Sequence, residues 1–158
     1  MNGIVIYDTS HGNTRLIAEA ISETLKESGI KADTRYMKDV KKLSAKDYDF
    51  LVIGSPTKFG TMSLAVKGFL GKLKGEDWAN KPFAAFDTEN PENIEQARIQ
   101  NKEWSAAQKI ADQLNAKKMR QVLPVLKSVV LGWKGPLQEG EIDRAKEYAK
   151  GLVVELKR

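Results

Sequence analysis

Short apolar runs alternate along this chain with stretches in which apolar residues recur every three or four positions. Ile4 to Tyr7 is a continuous apolar run, the pattern of a strand covered on both faces. From Asn13 the period changes: Leu16, Ile17, Ala20, Ile21, Thr24 and Leu25 recur at helical spacing, and Gly29 is a natural stop. Ile30 to Tyr36 alternates, which predicts a more exposed strand, and Val40 with Leu43 predicts a short helix. Phe50 to Ile53 is a second fully apolar strand, followed by a predicted helix from Leu64 to Leu73 that Gly68 and Gly71 weaken. Phe83 to Phe86 predicts the next strand. Ala106, Ala107, Ile110, Ala111 and Leu114 form the clearest helical stripe of the second half. Val122 to Leu131 supplies a last strand region, interrupted by Pro124, which cannot donate to a sheet ladder. Ile142 to Leu156 closes the pattern as a helix.

This alternation predicts an α/β fold, a doubly wound five-stranded parallel sheet with helices on both faces. No repeat, low-complexity tract or linker interrupts residues 1–158, so a single domain is expected, large enough to bury a core without metals or disulfides. Hydrophobic residues at 41% and charged residues at 30% argue against disorder. The absence of cysteine excludes thiol catalysis, Cys-ligated clusters and disulfides. The chain runs straight into Ile4 without a basic leader, and no apolar run approaches the roughly 20 residues of a membrane span, so a cytoplasmic location is expected.

The net charge of +5 changes the picture more. A basic surface attracts nucleic acid, anionic membrane or an acidic protein. Here the cations are scattered and interleaved with carboxylates. The densest stretch, Lys38, Lys41, Lys42 and Lys46, is expected to be a solvated face of the short connecting helix. No nucleic-acid-binding signature accompanies it, and no nucleic-acid partner is expected.

In open α/β sheets, ligands bind beyond the carboxyl ends of the strands, where strand order reverses. The first strand ends in Asp8-Thr9-Ser10-His11-Gly12-Asn13-Thr14 and passes directly into a helix. Hydroxyl side chains, a glycine and the open amides of a helix N-terminus suit a phosphate. A helix cap alone would need one such residue, and this loop offers several.

At these residues the chain becomes recognisable. Val5-Ile6-Tyr7-x-Thr9-x-x-Gly12-x-Thr14-x-x-x-Ala18-x-x-Ile21 resembles the flavodoxin FMN-phosphate signature. Gly54-Ser55-Pro56-Thr57 looks like the family's first flavin-flanking loop, and Phe83-Ala84-Ala85-Phe86-Asp87-Thr88 like the start of its second. Gly132-Trp133-Lys134-Gly135-Pro136-Leu137 also has parallels in flavodoxin-like sequences, and the resemblance covers most of the chain apart from Glu89 to Glu103.

The resemblance implies a flavodoxin-like fold with FMN as a bound electron carrier. The phosphate would lie against Thr9, Ser10, His11, Gly12, Asn13 and Thr14. The ring would lie between Ser55, Pro56, Thr57, Lys58, Phe59, Gly60 and Thr61 on one side and Asp87, Thr88, Glu89 and Asn90 on the other. Phe59 is the expected stacking residue, and Gly60 beside it tolerates either sign of φ. Lys58 has two readings, a solvated turn residue, which is preferred, or a neighbour of flavin N1, and His11 is expected to shape the surface rather than exchange protons. Trp78 and Trp133 are expected to pack. Trp104 has two readings, folding back over the flavin or packing a helix.

Two features depart from the family pattern. Flavodoxins are usually acidic, so a basic member implies either an acidic redox partner or a less strongly reducing flavin. No aromatic follows Asp87; Asn90 and Pro91 instead suit the cap and first position of a helix. Three function classes follow: an electron carrier between protein partners, an FMN-dependent oxidoreductase acting on a quinone or other small molecule, and a phosphoacceptor receiver. The last is disfavoured because Gly54-Ser55, not aspartate, ends the third strand.

Overall fold

The computed structural model describes residues 1–158. Strands β1 (Asn2–Tyr7), β2 (Lys31–Tyr36), β3 (Phe50–Pro56), β4 (Pro82–Glu89), β5 (Arg120–Gln121) and β6 (Leu126–Val129) form one sheet. Every pairing in it is parallel. The helices are α1 (Asn13–Glu27), α2 (Leu64–Lys72), α3 (Gly75–Trp78), α4 (Pro91–Gln100), α5 (Ala106–Ala116) and α6 (Glu141–Leu156). The strand order is β2-β1-β3-β4, with β5 and β6 both against the far side of β4. After β1 the chain steps outward to β2 and then crosses back to β3, so strand order reverses between β1 and β3. Ligand crevices open at such points.

The apolar runs become the central strands because a parallel strand with helices on both faces must be apolar on both. Successive side chains alternate between the two layers. Ile4 and Ile6 point into one core with Leu51, Ile53, Leu70, Trp78 and Ile110. Val5 and Tyr7 point into the other with Ile17, Ile21, Val52, Phe86 and Leu152. Thus α2 and α5 cover one face and α1 and α6 the other. Each fully buried Ile or Leu contributes about 1.5–3 kcal/mol. Trp78 is buried, as its packing role requires.

Two elements differ from the sequence pattern. Val40 and Leu43 do not form a helix; 3-10 turns at Met37–Asp39 and Ala45–Asp47 flank an irregular segment, which holds Lys41 and Lys42. Two apolar residues among lysines give no helical stripe to bury, and Lys81 holds the connection by donating to the carbonyls of Ala45 and Tyr48. Of the expected region Val122 to Leu131 only β6 forms a strand, pairing with Phe86 to Glu89, while β5 lies just ahead of that region and pairs with Pro82 and Phe83. The two pieces share one edge position, which reconciles five positions with six strands.

Candidate functional site

At the carboxyl edge, four loops enclose a pocket of about 400 Å³. The first follows β1. Asp8 is buried and accepts from the Thr9 amide at 2.9 Å, and Thr9 Oγ1 accepts from the Gly12 amide at 2.9 Å. These bonds fold the loop back on itself, and Gly12 completes it with φ of 90°, a conformation in which other residues are strained. Helix α1 then starts without a side-chain cap, its first backbone bond running from the Leu16 amide to the Gly12 carbonyl. No acid stands in its first turn. By contrast, Ser63, Asn90 and Ser105 cap α2, α4 and α5 with their side chains. The amides opening α1 therefore have no side-chain partner, and the positive end of the helix dipole is left uncompensated by an acid.

The second loop follows β3. Lys58 and Thr61 exchange backbone bonds at 2.8 and 3.0 Å around Phe59 (φ 51°) and Gly60 (φ 76°). Positive φ at both central residues is the geometry of a type I′ turn. A bulky residue there is a backbone outlier, and such strain concentrates at functional sites. The turn drives the Phe59 ring outward, 90% exposed, at the mouth of the pocket. Gly60 lies beneath Trp104: a Cβ there would stand 2.9 Å from the indole Cδ2. Trp104 thus packs on this turn and is not among the residues lining the pocket.

The third wall is the end of β4 with the start of α4. Thr88 Oγ1 lies 2.8 Å from Thr14 Oγ1, binding this wall to the first turn of α1. Asn90 caps α4 by accepting from the Asn93 amide at 2.9 Å, as the Asn-Pro pair predicts. The fourth loop follows β6. Its Val130 amide donates to the Glu89 carbonyl at 2.8 Å, and Asn13 Nδ2 donates to the Lys134 carbonyl at 3.2 Å.

Of the residues expected at the site, Thr9, Ser10, His11, Asn13, Thr14, Pro56, Thr57, Lys58, Phe59, Thr88, Glu89 and Asn90 line this one pocket. Gly12, Ser55, Gly60, Thr61 and Asp87 do not. Gly12 and Gly60 shape the backbone, and Ser55 is buried, with Oγ accepting from the Ser63 amide at 2.9 Å. Thr61 closes the turn. Asp87 lies in the interior and accepts from Ser105 Oγ at 2.7 Å and from the Ala107 amide at 3.0 Å, anchoring the start of α5. Burial pushes its carboxyl above the usual range. Glu89, the one acid in the pocket lining, is pushed up to about 8 by burial and then by the charge of Asp87.

The profile of the family described as Flavodoxin domain matches residues 4–119, spanning the first three pocket walls. This chain belongs to the flavodoxin domain family. Among its flavodoxin-related sequences, the flavodoxin of Aquifex aeolicus (strain VF5) is 33% identical over 76 residues, covering 48% of this chain and 41% of that protein. The protoporphyrinogen IX dehydrogenase (quinone) of Escherichia coli (strain K12) is 32% identical over 72 residues, covering 46% of this chain and 40% of that protein. The matched stretch is thus less than half of each of these curated relatives. Among solved structures, a flavodoxin from the domain Archaea superposes with a TM-score of 0.80 at 22% identity, covering 100% of both chains. The flavodoxin fold is also shared, over 99% of this chain and 36% of that one, with the rubredoxin oxygen:oxidoreductase of Desulfovibrio gigas, at a TM-score of 0.76 and 16% identity.

The flavodoxin-like pocket also recruits Asn93, Val130, Gly132 and Trp133. Trp133 corrects the packing expectation: it is 79% exposed and lines the same pocket as Phe59. The resemblance over Gly132 to Leu137 marked this loop in the sequence, but nothing in it marked Trp133 as exposed.

Proposed function

We propose that this chain is a single FMN-binding domain that carries electrons between protein partners. One observation carries the reading: a single pocket joins the uncapped, acid-free start of α1, flanked by Thr9, Ser10 and Thr14, to a mouth bearing the exposed rings of Phe59 and Trp133. An anion site and two aromatic faces match a phosphorylated flavin, and the volume of about 400 Å³ lies within the usual range for ligand pockets. The residues present fit the group. Thr9, Ser10, His11, Asn13 and Thr14 would hold the phosphate, and Pro56, Thr57, Phe59, Asn90 and Trp133 would flank the ring. FMN supplies the redox chemistry when bound; the chain supplies orientation and electrostatics.

The net charge of +5 supports an acidic redox partner, because opposite fields steer encounter. No helix of the chain is long and apolar enough to cross a membrane. A second reading, an FMN-dependent oxidoreductase acting on a quinone, draws support from the similarity to proteins named protoporphyrinogen IX dehydrogenase (quinone) and, in Paracoccus denitrificans, NAD(P)H dehydrogenase (quinone). The two separate in one assay. A carrier loaded with FMN does not oxidise NAD(P)H in the presence of a quinone unless a reductase is added, whereas an oxidoreductase turns over alone.

A further inference from the structure

Asp87 and Glu89 stand two residues apart on β4, so their side chains leave the same face of the strand. Both are buried, at 0% and 4% exposure. Asp87 Oδ2 accepts two hydrogen bonds, but Asp87 Oδ1 and Glu89 Oε1 have no partner. Two buried carboxylates are acceptors only, so with both ionised two charged oxygens would be buried without a donor. A single proton held by the pair resolves this, and the charge of Asp87 raises the carboxyl of Glu89 in the same sense. Asp87 is the member that keeps the charge. It already receives Ser105 Oγ and the Ala107 amide at the start of α5, where a negative charge is favoured. Glu89 therefore holds the proton.

The other charged groups near Glu89 are Lys127 on β6 and Glu103 on the α4–α5 connection, and they pair with each other at 3.0 Å. Within the pocket lining the titratable groups beside Glu89 are His11 and Lys58. Neither donates a hydrogen bond to Glu89 Oε1.

We propose that Glu89 presents a neutral, protonated carboxyl to the pocket, and that losing this proton places an anion in the wall that opposes a phosphate-bearing flavin. Glu89 is then the residue that ties flavin binding to pH. The proposal rests on the FMN reading for its ligand and on the Asp87–Glu89 geometry for its proton. The switch falls in the weakly alkaline range, where burial has moved Glu89, to about 8.

Two measurements test it. In the apoprotein, carbon-13 NMR of the glutamate carboxyls, with Glu89 assigned through Thr88 and Asn90, should give a Glu89 midpoint near 8. A midpoint in the ordinary carboxylate range would overturn the shared proton. Separately, the FMN dissociation constant should rise about tenfold between pH 7 and pH 9.5 in the native chain, the scale of about one pKa unit of linkage. In Glu89→Gln the same curve should be flat. The phosphate's own second ionisation, near about pH 6, lies below this window. A flat curve in the native chain, or an equal slope in Glu89→Gln, would overturn the proposal while leaving FMN binding intact. Failure to bind FMN at any pH would instead fell the flavin reading and the ligand half with it, and the NMR midpoint would still decide the proton half.

Discussion

The hydroxyls of Thr14 and Thr88 lie 2.8 Å apart although 74 positions separate them in sequence. Both are buried, one in the first turn of α1 and the other near the end of β4, so this bond fastens together two walls of the pocket.

Thr14→Val keeps the shape but strands the Thr88 hydroxyl, and should cost about 1–2 kcal/mol of stability in urea unfolding. Thr14→Val with Thr88→Val removes both partners and should recover part of that loss, since replacing a buried pair with apolar isosteres is nearly neutral. Strictly additive losses would show that the hydroxyls do not support each other.

Gly60 sits at positive φ beneath the Trp104 indole. Gly60→Ala should lose about 1–2 kcal/mol from the left-handed backbone, with a further loss from the contact at 2.9 Å. Adding Trp104→Ala should remove the contact penalty and leave the backbone penalty. Thermal unfolding of the four proteins separates the two contributions. An undisturbed Gly60→Ala would mean the turn adopts another form.

The Glu89 carboxyl should also mark the pH dependence of stability. Its folded pKa of about 8 lies above the ordinary 4.5, so between those values the folded chain keeps a proton that the unfolded chain has released. Stability attributable to this group therefore falls as pH rises through that window, by at most about 1.4 kcal/mol per pH unit, and levels off above it. Glu89→Gln should flatten the slope and raise stability at pH 8 relative to the native chain. Chemical unfolding at intervals from pH 5 to 9 checks it. Parallel pH profiles for the two proteins would contradict it.

Phe59 and Trp133 stand exposed at the mouth, and a bound flavin ring should shield them. Phe59→Ala and Trp133→Ala should each weaken FMN and riboflavin alike, by about 1 kcal/mol, or roughly fivefold, because an aromatic partner acts on the ring and not the phosphate. Weakening of FMN alone would place these residues at the phosphate end.

Most of the scaffold is legible because parallel strands and amphipathic helices write their burial into short periods. Ile4 to Tyr7, Phe50 to Ile53 and Phe83 to Phe86 each lie in a central strand, and the Ala106 to Leu114 stripe faces the core. The connection through Val40 and Leu43 was not legible, because it is held by Lys81 donating to distant carbonyls rather than by a periodic face. At the site, the loop after β1 is readable since hydroxyls, glycine and helix start are contiguous. Trp133 is not: its exposure depends on a loop anchored by Asn13 and by the Glu89 carbonyl, far away in sequence. Asp87 misleads for the reverse reason. Its position at a strand end suggests a pocket residue, but its carboxylate is taken up by the Ser105 hydroxyl and the Ala107 amide at the start of α5.

The central claim is that a flavin nucleotide binds with its phosphate at the start of α1. Titrating the apoprotein with FMN and, in parallel, with riboflavin tests it most directly, followed by quenching of flavin fluorescence. The account predicts saturation at one FMN per chain, with riboflavin weaker by about tenfold or more for lack of charge-assisted hydrogen bonds of about 1.5–3 kcal/mol. Absence of saturable FMN binding, or equal affinity for the two flavins, would contradict it.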